Sequence, residues 1–232
     1  CYIFYKGDNM KKNSEKLYKI NKAKSRIKIL DFVIIICAVI TILLIFSSTY
    51  VCKGKIYERI IENGEESINQ LIEINSKITF ANMAFGIGEN SESTNFVSVS
   101  KDIRFLFLYL AQIVAYGLVL FKLVNNTKVN FIMSILSSVV LLAVAISTIS
   151  FMASYSNDLQ VMFDQAIEPL KDINDNITSI TDTNYPSRIF VEISPVPAIS
   201  CAYMIISSII CVYTGFVKKG IKELESVNEK NK

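Results

Sequence analysis

Four long stretches of this chain carry no charge at all, lying between Asp31 and Lys53, Arg104 and Lys122, Lys128 and Asp158, and Glu192 and Lys218. A bilayer core of about 30 Å is crossed by roughly 20 apolar residues in a helix rising about 1.5 Å per residue. An unpaired charge at that depth costs a few kcal/mol or more, so long uncharged intervals are what lipid-facing helices require. We therefore expect an all-α fold, a four-transmembrane-helix bundle with spans over 32–52, 103–124, 131–155 and 198–217. The 51% hydrophobic content and mean hydropathy of +0.39 would not decide this alone; the gathering of apolar residues into blocks does. The first block is too long for a secretory signal and lacks a small-residue cleavage site.

Orientation follows from where Lys and Arg fall. Sixteen of the 24 lie before the first span, around the turn at 125–130, or after the last span, and eight lie in the two intervening loops. Net charges on the two sides are +10 and −7, which agree with the overall +3. This predicts a multi-pass protein of the cell (plasma) membrane with its N-terminus and C-terminus both cytoplasmic. Residues 1–28 then form a basic cytoplasmic segment and 29–217 the membrane domain. Residues 53–102 and 156–197 form two outer loops, and 218–232 a cytoplasmic tail. The short turn at 125–130 makes the second and third spans antiparallel neighbours.

Richness in Ile, Lys and Asn reads as an AT-rich bacterial coding region. The chain opens on Cys1 and first reaches methionine at Met10. The run Lys6-Gly7-Asp8-Asn9 can be encoded with a purine-rich ribosome-binding sequence just upstream of an ATG. We expect residues 1–9 to be an untranslated leader read in frame, the alternative being a truncated cytoplasmic region.

Both outer loops carry helical apolar spacing. In the first, Tyr57, Ile61, Gly64, Ile68, Leu71, Asn75 and Ile78 recur at four and three residues. In the second, Leu159, Phe163, Ile167, Leu170, Ile173, Ile177 and Ile180 follow a similar rhythm, with Pro169 expected to kink or restart the helix. Residues 85–94 read as a loop, and Pro186, Pro195 and Pro197 as an extended approach to the fourth span. Two helical extracytoplasmic loops are thus expected, packing on each other. Their apolar residues Ile61, Ile68, Leu71, Ile78, Leu170, Ile173 and Ile177 are the candidates for docking a partner.

The chain contains no histidine, which removes the usual zinc hydrolase patterns, Ser-His-Asp triads and Cys-His dyads. No phosphate-cradling glycine loop is present, and no carboxylate falls inside a span to serve proton coupling or aspartyl chemistry. Residues 84–89 contain Gly86 and Gly88, but the polar segment before them and the absence of glycine from the second loop argue against a carbonyl-lined ion filter. We expect no enzyme, no catalytic or metal-binding residue, and no cofactor.

Small-xxx-small pairs at Ser134 and Ser138, and at Ser150 and Ser154, suit close helix packing, and Gln112 can add an interhelical hydrogen bond. Cys52 and Cys201 fall near the outer ends of the first and fourth spans, where a disulfide is geometrically open to them. The lysines of the first 28 residues suit anionic lipid as well as a topology signal, and no folded basic module suggests nucleic acid. Neither outer loop contains a cysteine and Trp is absent, so the outer-loop signatures of tetraspanins, claudins and connexins are missing. The function expected is a non-enzymatic accessory or interaction subunit in the lipid bilayer, with a membrane-protein partner or self-association through its outer loops. The alternative is a small transporter or channel subunit built on the hydroxyl-rich third span.

Overall fold

The computed structural model describes the backbone over residues 2–62, 65–86, 101–124, 130–173, 177–178, 182 and 184–230. Side chains are described over 15–61, 65–86, 101–121, 131–167, 177–178, 182 and 184–226. The element order is α1 (Tyr2–Leu43), a single 3-10 turn (Leu44–Phe46), β1 (Ser48–Glu62), β2 (Glu65–Thr79), α2 (Phe80–Phe85), α3 (Ile103–Val124), α4 (Asn130–Ile173), β3 (Arg188–Ile193) and α5 (Val196–Lys230). Four helices are long and apolar enough to cross a membrane, with candidate spans inside Glu15–Phe46, Ile103–Phe121, Phe131–Ile167 and Val196–Ser226.

The chain divides into two compact units. The first joins residues 1–41, 112–144 and 202–232, and is made of segments of α1, α3, α4 and α5. Its interior is unusually polar and its exterior apolar. Thr41, Gln112, Ser134, Ser137, Ser138, Ser207, Ser208 and Thr214 are buried, whereas Phe32, Val39, Val114, Phe121, Ile132, Ile209 and Phe216 are more than half exposed. A water-soluble helical unit would reverse that distribution, because burying apolar area is its main driving force. In lipid the outer face costs nothing, and small hydroxyl residues let helices approach and bond to one another. Ser138 and Ser208 bring their hydroxyls to 2.6 Å between α4 and α5, and Thr41 meets Tyr116 at 3.2 Å between α1 and α3. Gly215 lies so close to α4 that a Cβ there would come within 2.7 Å of the Ser134 Cβ.

Beyond the uncharged runs α1 and α5 continue side by side. Lys24 pairs with Glu225 at 2.7 Å and Lys218 with Asp31 at 3.1 Å. Seven residues forward on α1 match seven back on α5, so the two helices run antiparallel. Ile20 and Ile27, also one heptad apart, bury against Ile221, with Ala23 and Val217 packed on them.

The second unit joins residues 42–111 and 145–201. It contains a three-stranded antiparallel sheet in the order β2-β1-β3. One face of that sheet packs on α4. Tyr50, Cys52, Ile56, Ile74, Ile78 and Ile189 meet Met152, Tyr155, Leu159, Phe163 and Ile167, with Phe80, Met83 and Phe105 completing the core. α2 is a short plug, opened by a Thr79–Asn82 capping box and closed by Gly86 in the left-handed region at φ 69°.

The sheet overturns the all-α expectation. The segment expected as the first outer loop is a β-hairpin and not an amphipathic helix, so its apolar residues serve a period of two. The physical reason lies in composition and sequence at the hairpin end: the arms are rich in Ile, and the ladder closes at Glu62 and Glu65 on either side of the sequence Asn63-Gly64. The helix of the first span ends at Leu43, with β1 starting at Ser48, although the apolar run continues to Cys52. In the second outer loop helix is present through Ile173 as a continuation of α4, and Pro169 does not end it. The approach to α5 is extended as β3, and Pro197 sits in the first turn of α5, where its missing N–H is harmless. Residues 87–100, the turn at 125–129 and Ile180 lie outside the described residues.

Candidate functional site

The β1–β2 hairpin has two halves with different surroundings. β3 pairs with β1 only over Tyr50 to Lys55, so the proximal half is the three-stranded part. Past Ile56 the hairpin continues to Glu62 and Glu65 with β2 as its ladder partner, helped by one bridge between Glu58 and Ile177. The register changes at the junction: Ile56 pairs with Ile72, but Tyr57 pairs with Gln70, leaving Leu71 as an extra residue in β2. Such a bulge moves the following residues of its strand to the opposite face. On β2 the core-facing set Ile78, Ile74 and Ile72 is therefore followed by Ile68 on the outer face, opposite Arg59 and beside Ile61. Apolar residues thus leave the core side at the bulge and continue on the far side. Ile61 is 72% exposed and Leu71 45%.

This distal half is braced from the segment that precedes β3. Thr178 donates its N–H to the Tyr57 carbonyl at 3.0 Å, and Tyr57 donates its own N–H to the Ser187 hydroxyl at 2.9 Å. Thr178 also donates its hydroxyl to the Tyr185 carbonyl at 2.6 Å. Tyr57 and Tyr185 meet edge to face at 5.5 Å. Arg59 bonds Glu66 at 2.7 Å across the hairpin and Asp182 at 2.9 Å. Asp182 accepts N–H bonds from Tyr185 and Asn184, and these with Arg59 hold its carboxyl below the usual carboxylate range.

The proximal half is locked to α4. Gln160 donates to the Ile189 carbonyl at 2.7 Å and accepts from the Val191 N–H at 3.0 Å, so one side-chain amide satisfies the outer edge of β3. Arg188 pairs with Asp164 at 3.2 Å on the same helix. A Cβ at Gly54 would lie 2.3 Å from the Arg188 carbonyl oxygen, so β3 can cross β1 only where β1 lacks a side chain. Tyr50, fully buried, donates to the Met152 carbonyl at 2.9 Å, and burial, with smaller contributions from Tyr155 and Asp158, raises its pKa. Arg104 makes a bidentate pair with Asp102 and stacks over Phe151 and Tyr155.

The expected site residues scatter among these surroundings. Ile61 and Leu71 are exposed and Ile68 is half-buried, all three on the distal hairpin, whereas Ile78 and Ile177 belong to the core and are closed to any partner. Leu170 and Ile173 lie on α4, but their side chains are outside the described residues. Ser134 and Ser138 face α5 at Gly215 and Ser208, and Gln112 is buried in the same unit. Ser150 and Ser154 are exposed, because the buried seam of α4 passes through Thr148, Met152 and Tyr155, and positions two residues off that seam point away. Cys52 and Cys201 are both buried free thiols. Cys201 donates to the Ala145 carbonyl at 3.4 Å, and burial pushes the Cys52 thiol up to about 12.

Among the described residues no group of His, Cys, Asp and Glu is arranged to hold a metal ion. Gln160 and Gly54 take their roles from strands that are remote in sequence, and the Leu71 bulge from the register of a hairpin, so none of the three stands out in the sequence. No protein-family model matches the chain, and no curated protein matches it significantly.

Proposed function

We propose that this chain is a non-enzymatic accessory or interaction subunit of the plasma membrane that docks a membrane-protein partner on the distal half of its β1–β2 hairpin. Both termini are cytoplasmic in this reading, which places the hairpin outside. The distribution of Lys and Arg supports that orientation, as does the antiparallel pairing of the basic ends of α1 and α5.

The observation that carries the proposal is a pair of isoleucines on the outer face of the hairpin, where the bulge brings Ile68 alongside Ile61, between the charged pair Arg59 and Glu66. Ile61 and Ile68 follow Tyr57 on a two-stranded projection that is held rigid by Arg59, Asp182 and Thr178 yet leaves Ile61 uncovered. Isolated two-stranded hairpins are marginal in water, and an exposed branched side chain at the end of a braced one is suited to contact with protein. The transport alternative has less behind it. Most of the buried hydroxyls of the four-helix unit are engaged in bonds, Ser138 with Ser208, Thr41 with Tyr116, Ser137 with the Met133 carbonyl at 2.7 Å and Thr214 with the Cys211 carbonyl at 3.2 Å, while the Ser207 hydroxyl is buried without a partner among the described residues. Ile34, Leu141, Met204 and Cys211 fill the space beside them with no solvent exposure.

Photoreactive residues placed singly at Ile61, Leu71 and Ile78 in membranes test the reading. Adducts to one foreign protein from Ile61 and Leu71, but not from buried Ile78, are expected. Adducts only between copies of this chain convert the reading to self-association. No adduct from either exposed position removes it and turns attention to solute flux in liposomes.

A further inference from the structure

The basic end of the four-helix unit carries a feature that the hairpin reading does not use. A cleft of about 250 Å³ runs between α1 and α5, lined by Lys19, Lys22, Arg26 and Ile27 of α1 and by Tyr213 and Val217 of α5. Three nearby cations have carboxylate partners: Lys24 has Glu225, Lys218 has Asp31 and Lys19 has Glu15. Lys22 and Arg26 have none among the described residues, and Lys22 instead rests 6.0 Å over the Tyr18 ring. Two like charges four residues apart on one helix face repel each other. An anion held between them at the mouth of the apolar cleft would relieve that repulsion.

Depth identifies the anion. Asp31 is the last charge before the first uncharged run, and Arg26 precedes it by five residues, about 8 Å along a helix. Its long side chain reaches the headgroup layer from there, as Lys and Arg do at membrane surfaces. Tyr213, half exposed, falls on the membrane side of the cleft, the position that interfacial aromatic residues occupy. A soluble phosphate would match the cations but would leave the apolar end unfilled. A phospholipid matches both.

We propose that this cleft binds the headgroup of an anionic phospholipid, with Lys22 and Arg26 neutralising its phosphodiester and Tyr213 and Val217 flanking the start of an acyl chain. The site belongs to α1 and α5 alone and is independent of what the hairpin docks. It would tie the inner end of the helix pair to the anionic leaflet more specifically than a diffuse positive charge does.

The test uses the full-length protein in vesicles of phosphatidylcholine containing trace spin-labelled phosphatidylglycerol or phosphatidylcholine, with the motionally restricted fraction read by electron spin resonance. The wild-type protein is expected to prefer phosphatidylglycerol. The preference should fall about fivefold for each cation removed in K22Q and R26Q, and should survive in R26K. The double variant K16Q/K222Q, which removes the same charge from exposed positions outside the cleft, should retain it. Equal preference in wild type and K22Q/R26Q overturns the proposal, as does an equal loss in K16Q/K222Q. Displacement of the labelled phosphatidylglycerol by millimolar inorganic phosphate would assign the site to a soluble anion and overturn it too. Circular dichroism of each variant separates lost binding from lost helix.

Discussion

Lys218 Nζ stands 3.1 Å from Asp31 Oδ2, joining the charge that precedes the first uncharged run to the charge that follows the last one. Both side chains are about four-fifths buried, and the second oxygen of Asp31 is buried without a hydrogen-bond partner among the described residues. Removing one partner leaves the other poorly solvated, which costs more than an exposed pair contributes. D31N and K218Q should each lower the thermal midpoint in mild detergent. The double variant should lose less than the sum, with a coupling on the order of 1 kcal/mol. Strict additivity in that double-mutant cycle would show the pair to be energetically idle.

Close approach of α4 and α5 gives a second expectation. With a Cβ at Gly215 only 2.7 Å from the Ser134 Cβ and 2.8 Å from its Oγ, G215A forces the helices apart at a cost of about 1–3 kcal/mol. The same substitution in an S134G background should cost distinctly less, since the opposing side chain is gone. Equal losses in the two backgrounds, measured by thermal unfolding, would contradict the contact.

Cys52 lies fully buried in β1 with its thiol pushed up to about 12 by burial, so the reactive thiolate is scarce at neutral pH. Iodoacetamide at pH 8 should leave Cys52 unmodified in the native protein and alkylate it after unfolding without reductant. Mass spectrometry of the peptides checks this. A Cys52–Cys201 bond would instead protect both residues until a reductant is added.

The Asp182 turn predicts acid sensitivity in the sheet unit. Its carboxyl is depressed by the Tyr185 and Asn184 N–H groups and by Arg59, so its stabilising contribution is complete above the unfolded carboxylate value near about 4. The contribution is then lost as pH falls through the lower, folded value. D182N should therefore weaken protection of the Tyr57 and Thr178 amides at pH 6, with an effect that shrinks as pH falls below the unfolded carboxylate value. Hydrogen exchange followed by mass spectrometry reads both, and a D182N effect independent of pH would contradict the assignment.

The four long helices were legible because uncharged runs of span length have few other folded uses, and the outer part of α4 because Leu159, Phe163 and Ile167 keep a helical spacing. The hairpin was not, for reasons that can be named. In β2, Ile68, Ile72, Ile74 and Ile78 all occupy even positions, a period of two. Leu71 interrupts that alternation, and Ile61, Ile68 and Ile78 also fit positions on a helix. The bulge that interrupts the strand pattern is thus the feature that imitates a helix. Asn63-Gly64, between two isoleucine-containing segments, was the stronger signal for a hairpin. Hydropathy also misplaced the end of the first span, because the run from Leu44 to Cys52 is apolar whether it is helix or strand. Ser150 and Ser154 have the same spacing as Ser134 and Ser138 but a different phase around α4. Spacing alone says that two residues share a face, not which neighbour that face meets.

The amide of Gln160 has a consequence for assembly. A sheet with two open edges can accept strands on both sides and so propagate without limit. Here the β3 edge is occupied by a side chain from α4, while β2 has no strand on its outer side among the described residues. Its valence for strand addition is one. Strand addition would therefore favour the β2 edge over the β3 edge, which directs pairing towards a couple and away from a fibre.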